Sequence, residues 1–376
     1  MIMVEGILTT IYFILSAGLL FMLFWRRYRS LPLPPSPKGH PLLGHLFTLP
    51  ASDEHLAYAA IGKTLNSDII SFTVLGQVIV VLNSAETALD LLSKRGAVYS
   101  DKPELPMLND ERLCGWGKIT TFVRYSERWK RQRIMTQDAL DPSGKDDLWS
   151  VMIKQARLST QRLLRNPEGV SREIRWMTAA TMLSSVYGYE PAYPHDELVR
   201  LVETASDQLC EAAVPANFYV NTLPWLVHIP SWFPGAGWKR KSNEWQNQKN
   251  KIANEPFEWT KQQMSSGVAS PSVLKTLLTE LTTGEMSKRQ TEEEEDIIRW
   301  VTGTLYMAGA DTTVSTGTSF LLAMILYPDV QKKIQVELDN VLKGRLPELS
   351  DREALPYFNA VLQEVLRWRP PLLMIV

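Results

Sequence analysis

Residues 291–327 read TEEEEDIIRWVTGTLYMAGADTTVSTGTSFLLAMILY, and the fold turns on how they are read. No proline interrupts them until Pro328. Thr291 is a candidate N-cap, and the acids Glu292 to Asp296 would sit in the first turns, where the helix dipole favours negative charge. The stretch therefore predicts one long helix. Its interior is odd for a helix, because Gly303, Gly309 and Gly317 each cost about 1 kcal/mol relative to alanine. Thr312, Thr313, Ser315, Thr316, Thr318 and Ser319 follow one another closely. Such side chains can donate to the carbonyl four residues earlier and bend the helix, and for Thr312 that carbonyl is Ala308. Asp311 stands beside it in an otherwise apolar stretch. Costs of this kind in a core helix mark either a site or a loosely packed helix with a satisfied polar patch.

Outward from this helix the chain is mostly helical in pattern, with no internal repeat. Ile69–Val74 and Val78–Leu82 are β-rich runs around Gly76 and predict a hairpin. Ser84 is placed to cap a helix over Ala85 to Lys94. Ser126 is placed to cap another, carrying Trp129, Arg131 and Arg133. This second stretch is basic, with Arg124, Arg128, Lys130, Arg131 and Arg133 against Glu127. It reads either as a solvated face or as a dock for a ligand carboxylate or an acidic partner. Leu355 to Arg369 forms a last helix, with Glu364 and Arg367 on one face. The expected fold class is mainly α with a small β-sheet.

Composition narrows the function. The chain has 376 residues, about two to three domain equivalents, with one large domain equally allowed. Hydrophobic residues at 45% and charged residues at 22% argue against a disordered chain. A net charge of -1 leaves no chain-wide basic footprint, so no nucleic-acid partner is expected. Two cysteines, Cys114 and Cys210, exclude a disulfide scaffold and a four-cysteine metal site.

Ile7 to Trp25 carries no charge over 19 residues, about 28 Å as a helix, close to the ~30 Å bilayer core. Arg26, Arg27 and Arg29 follow, so the positive-inside rule predicts a single-pass anchor over residues 1–30 with the body in the cytosol. Residues 31–41 hold five prolines and read as a stiff spacer. In residues 215–240, Trp225, Trp232, Phe233 and Trp238 precede or flank Lys239, Arg240 and Lys241. That mixture suits a membrane interface, or a buried aromatic cluster under a loop.

Three segments, in order, carry a resemblance: Trp129-Lys-Arg-Gln-Arg133, Ala308-Gly-Ala-Asp-Thr-Thr313 and Glu364-Val-Leu-Arg367. With the anchor and hinge, the chain resembles a microsomal cytochrome P-450, a haem-thiolate monooxygenase. Phrases in residues 355–370 are similar to fungal members that oxidise natural products. The resemblance implies haem b as cofactor. Trp129 and Arg133 would hold a propionate, and Ala308 and Gly309 would lie against the cofactor. Asp311 and Thr312 would be the acid–alcohol pair that delivers protons, with a bend around Gly309 and Thr312 giving them a wet path. Glu364 and Arg367 would be structural. The 107–122 and 210–238 regions would shape the mouth for a small lipophilic substrate. The implied partners are an NADPH-dependent flavoprotein reductase and membrane lipid, and the implied location is the endoplasmic reticulum.

The resemblance also implies a cysteine thiolate on the iron, in a loop after the Glu364–Arg367 helix. Here nine residues follow Arg367. Cys114 precedes the Trp129 motif and Cys210 lies in the middle helical region, so neither takes that position. The five histidines show no ligand motif, and no metal ligand is assigned. Residues 372–376 are apolar and strand-like with no closing turn. The expectation is a partial cytochrome P-450 domain over 42–376, truncated and inactive as it stands. The alternative is a non-catalytic anchored remnant that binds a partner such as the reductase.

Overall fold

The computed structural model describes residues 32–41, 43–50, 53–74, 76–140, 146–214, 217–282 and 287–372. The expected membrane helix over Ile7 to Trp25 and the strand-like end over 373–376 lie outside them. Among the described residues no helix is long and apolar enough to cross a membrane. The chain forms two compact units, one up to Tyr99 and one from Ser100 on.

In the first unit, α1 (Glu54–Leu65) precedes a two-stranded antiparallel sheet of β1 (Ile69–Val74) and β2 (Gln77–Leu82). Ile69 faces Leu82 and Val74 faces Gln77 across the ladder. Gly76 has φ 90°, a left-handed conformation that side chains rarely adopt, so the turn falls there. Tyr58, Ile70 and Phe72 form the core, with the Tyr58 and Phe72 rings 5.2 Å apart. The proline-rich segment is strapped to β1. Ser71 donates its N–H to the Pro35 carbonyl at 2.9 Å and its hydroxyl to the Pro34 carbonyl at 2.7 Å. Buried His45 accepts the Thr73 N–H at Nδ1 (2.9 Å) and donates from Nε2 to the Pro37 carbonyl (2.9 Å). Ser84 caps Ala85–Ala88 by accepting the Thr87 N–H, but the expected single helix changes to a π turn over Leu89–Lys94.

The second unit is helical: α2 (Glu127–Leu140), α3 (Asp146–Arg165), α4 (Val170–Met182), α5 (Glu197–Ala213), α6 (Gly237–Ser265), α7 (Val273–Thr282), α8 (Lys288–Leu326), α9 (Pro328–Leu342) and α10 (Pro356–Trp368). α8 has 39 residues, about 58 Å of helix, and is the axis on which α2, α4, α5, α6 and α7 pack. Ile298, Val301, Leu305 and Tyr306 bury its first half in the main core. Tyr306 donates its hydroxyl to the Leu198 carbonyl of α5 at 2.9 Å. Ala323 and Met324 pack its far end on Ile334 of α9 and Val365 of α10.

The expected cap at Thr291 moves one turn back. Ser287 caps α8 in a reciprocal pair with Gln290, a capping box that the expected start left out. Thr291 is inside the helix and donates to the Ser287 carbonyl at 3.2 Å. The glycines also have a packing role. A Cβ on Gly309 would meet the Met182 sulfur at 2.2 Å, and one on Gly317 would meet Ile174 at 3.3 Å. Both contacts are to α4, which approaches closely because those side chains are missing. Thr178 of α4 then donates to the Ala310 carbonyl at 3.0 Å in the buried seam.

Gly309→Ala should therefore destabilise the second unit by about 1–3 kcal/mol through overpacking, and Gly309→Ala combined with Met182→Ala should recover part of it. Denaturant unfolding of the two variants checks this; equal stability of Gly309→Ala and the parent would remove the close-approach explanation.

Candidate functional site

The site candidates lie on α8 and α2. Thr312 donates its hydroxyl to the Ala308 carbonyl at 2.6 Å, and Thr316 repeats the bond to the Thr312 carbonyl at 3.1 Å. Both bonds run within a helix that stays α-helical from end to end. Ala308 is exposed and Thr312 half-buried, so this face of α8 carries small side chains and stands partly open. Asp311 is rotated about 100° from Thr312, one residue of helix, and no hydrogen bond joins the two among the described residues. Asp311 instead lines a cavity of about 10 Å³ with Ser206 of α5 and Arg175 of α4, room for one water.

On α2, Ser126 caps the helix by accepting the Trp129 N–H at 3.3 Å. Trp129 is half-buried, with its ring 5.1 Å from Tyr125 and 5.7 Å from the Arg133 guanidinium. The surrounding basic stretch is mostly neutralised within the fold. Arg124 pairs with Asp101 (2.7 Å) and Glu104 (2.6 Å), and Lys130 with Glu127 (2.6 Å). Arg128 reaches Asp296 at 2.8 Å, and Arg131 reaches Glu294 at 3.5 Å. The acid run of α8 is thus the counterpart of the basic run of α2. Asp296 is held below the usual carboxylate range by Arg128 and Lys118, against the opposing effect of burial. The Arg124 guanidinium and the Tyr125 N–H hold Asp101 well down too. Arg133 is exposed and has no carboxylate partner among the described residues.

Two further contacts position the 107–122 loop. Thr304 of α8 accepts the Thr120 N–H at 3.1 Å in the core. Lys249 of α6 is almost wholly buried and donates to the Gly115 carbonyl at 3.1 Å, with its ammonium 5.6 Å from the Trp300 ring. Burial pulls the Lys249 pKa down, with Glu111 opposing. No sequence pattern marks this lysine; only the loop that folds onto it does. Met107, Leu108, Leu113 and Trp116 of the same loop belong to the main core.

In the 210–238 region Trp225, Trp232 and Phe233 are exposed. The adjoining cations tie the loop down. Lys239 donates to the Val227 carbonyl at 2.6 Å, and Lys241 pairs with Glu211 at 2.6 Å. Glu364 and Arg367 form a two-pronged pair at 2.7 and 2.6 Å on the exposed face of α10. Exposed pairs of this kind contribute little to stability.

Neither cysteine offers a thiolate. Cys114 is buried in the main core, and burial pushes its pKa up to about 12. Cys210 is raised by partial burial of its thiol, then by Asp311 and Asp207. Among the described residues no three His, Cys, Asp or Glu side chains are grouped to hold a metal.

A helical scaffold packed around one long helix, with a partly open small-residue stretch on α8 and, on α2, an arginine without a carboxylate partner among the described residues, outlines the class. Residues 34–376 match the cytochrome P-450 family. Cytochrome P-450 monooxygenase 208 of Postia placenta is 38% identical over 360 residues, covering 95% of this chain and 68% of that protein. A cytochrome P-450 monooxygenase of Armillaria gallica is 37% identical, covering 96% of this chain and 71% of its own length. Tryptamine 4-monooxygenase of Psilocybe cyanescens is 34% identical, covering 94% and 69%. The chain belongs to the cytochrome P-450 family, and its relatives are fungal monooxygenases.

At pH 8 an alkylating reagent should modify Cys210 in the folded chain and reach Cys114 only on unfolding. Mass spectrometry of the labelled peptides reads this directly; rapid labelling of Cys114 in folded protein would contradict its burial.

Proposed function

We propose that this chain is built as a haem-binding monooxygenase that acts on a small lipophilic substrate, with electrons from an NADPH-dependent flavoprotein reductase. The observation that carries the reading is Arg133. Of the five cations between residues 124 and 133 it alone lacks a carboxylate partner among the described residues, which suits it to a cofactor propionate. Trp129, one turn away, packs against it and would flank the same group.

The described residues fit one side of haem b and not the other. Arg133 and Trp129 suit its propionate edge. Ala308 keeps an exposed face of α8 low enough for a flat ring, whereas Gly309, the other residue expected against the cofactor, turns toward Met182 of α4. Neither thiol fits the iron, so no step through the iron follows from these residues. Haem, when bound in this family, supplies the iron that activates oxygen. Thr312 holds a hydroxyl proton on that face, parked on the Ala308 carbonyl and free to swing away from it. Asp311, the preceding residue, is exposed to the solvent from which protons would come. Glu364 and Arg367 hold each other on the exposed face of α10, a structural rather than a chemical role.

Residues 7–25 anchor the protein in the endoplasmic reticulum membrane with its body on the cytosolic side, and exposed Trp225, Trp232 and Phe233 meet the lipid. A relative named for tryptamine supports fungal secondary metabolism as the setting. The second reading is a non-catalytic membrane-anchored protein that binds the reductase.

Titration with haemin separates the readings. The purified 376-residue chain should bind haemin, Arg133→Ala should weaken binding roughly tenfold, and the reduced carbon monoxide complex should lack a thiolate-type spectrum. Unchanged affinity in Arg133→Ala would remove the propionate role. A thiolate-type spectrum would show that one of the two cysteines serves after all, and no haemin uptake would leave the non-catalytic reading.

A further inference from the structure

The first unit holds one short turn rigidly against the proline-rich segment. His45 is buried, donates its N–H to the Thr73 carbonyl at 2.6 Å and accepts the Thr73 N–H at Nδ1. From Nε2 it reaches the Pro37 carbonyl at 2.9 Å, and its ring stands edge-on to Phe72 at 5.4 Å. The His45 carbonyl then accepts the Thr48 and Leu49 N–H groups at 2.9 and 3.1 Å, which closes a turn over residues 45–49. Leu49 packs on the core of the unit. The two residues at the crest are left outside it: Leu46 is 38% exposed and Phe47 78%.

The surroundings of this crest name its partner. The chain from Trp25, the last residue of the expected anchor, to Pro37 spans about 40 Å at full stretch, and His45 ties the turn to Pro37. The spacer is fixed on the way as well, where Pro34 and Pro35 meet Ser71 of β1. From Gly6 to Ser52 the sequence holds no Asp or Glu, whereas Arg26, Arg27, Arg29 and Lys38 are cationic. Exposed apolar side chains on a carboxylate-free, cationic stretch suit the headgroup layer of an anionic bilayer.

We propose that Leu46 and Phe47 form an apolar tip that enters the lipid interface and fixes the first unit against the membrane. The proposal rests on the reading of residues 7–25 as an anchor, which brings the tip within reach of lipid. An anchor alone leaves the unit free to swivel on its spacer. A second contact at the tip, held in place through His45, sets its attitude.

Spin labels on the full chain in vesicles of phosphatidylcholine and phosphatidylserine test it, in a Cys210→Ser background whose remaining thiol, Cys114, is buried. Oxygen relaxes labels in the bilayer, and a neutral nickel chelate relaxes labels in water. A label at Phe47→Cys should respond to oxygen and collide with nickel about tenfold less often than a label at Lys63→Cys, an exposed position on α1. With the label moved to Leu46→Cys, adding Phe47→Asp should return it to water. Leu46 and Phe47 are both exposed, so either position carries the test if the other variant does not fold. Equal nickel access at positions 47 and 63 would overturn the proposal. Low access to both reagents at 47 would overturn it too, because that marks contact with protein, a second copy included. A label at 46 that stays in the bilayer beside Phe47→Asp would show that the label and not the tip enters lipid, with the same result. A label at Ser16→Cys reads the anchor separately. Residue 16 in lipid with 47 in water keeps the anchor and removes the tip; the reverse keeps the tip and removes the anchor.

Discussion

A long helix with three internal glycines draws most of its stability from packing one side on its neighbours rather than from propensity. The second unit follows from that requirement. Each neighbour of α8 meets it by a different device. α4 comes close because Gly309 and Gly317 have no side chains, and it adds a hydrogen bond from Thr178. α5 is tied by the Tyr306 hydroxyl, and the 107–122 loop by Thr304. α2 is held by charge, Arg128 to Asp296 and Arg131 to Glu294. Among the described residues Ala308, Asp311, Thr313, Ser315 and Thr318 in the middle of α8 stay exposed.

The long helix, the hairpin and the last helix were legible because their signals are local. β1 coincides with its β-rich run, and α10 lies within one residue of its expected bounds at each end. The start of α8 was misplaced because Thr291 is a good capping residue and Ser287 is a better one; only the reciprocal bond with Gln290 distinguishes them. The basic stretch was ambiguous for a deeper reason. Charges alone do not say whether their partners come from the fold or from outside, and the partners of Arg128 and Arg131 are far along the sequence. Lys249 was invisible: a lysine on an amphipathic helix looks solvated until a loop carbonyl folds over it.

The glycines show how one feature supports two readings. In sequence, Gly309 looked like a place for a helix to bend beside a site. In the fold α8 remains helical through it, and the missing side chain admits Met182. The same residue thereby fixes the rotation of α8 about its own axis. That rotation leaves Thr312 half-buried and Asp311 exposed at the edge of the small cavity it shares with Ser206 and Arg175.

The pairing of α2 with the acids of α8 also bears on how the chain is made. Arg128 and Asp296 are 168 residues apart. During synthesis Arg128 and Arg131 emerge long before the carboxylates that neutralise them, and closing so long a loop is slow. Until α8 is made, those two guanidiniums lack the partners that the fold gives them, while Arg124 and Lys130 have theirs already. The charge that ties α2 to α8 is therefore available only once the acid run is in place.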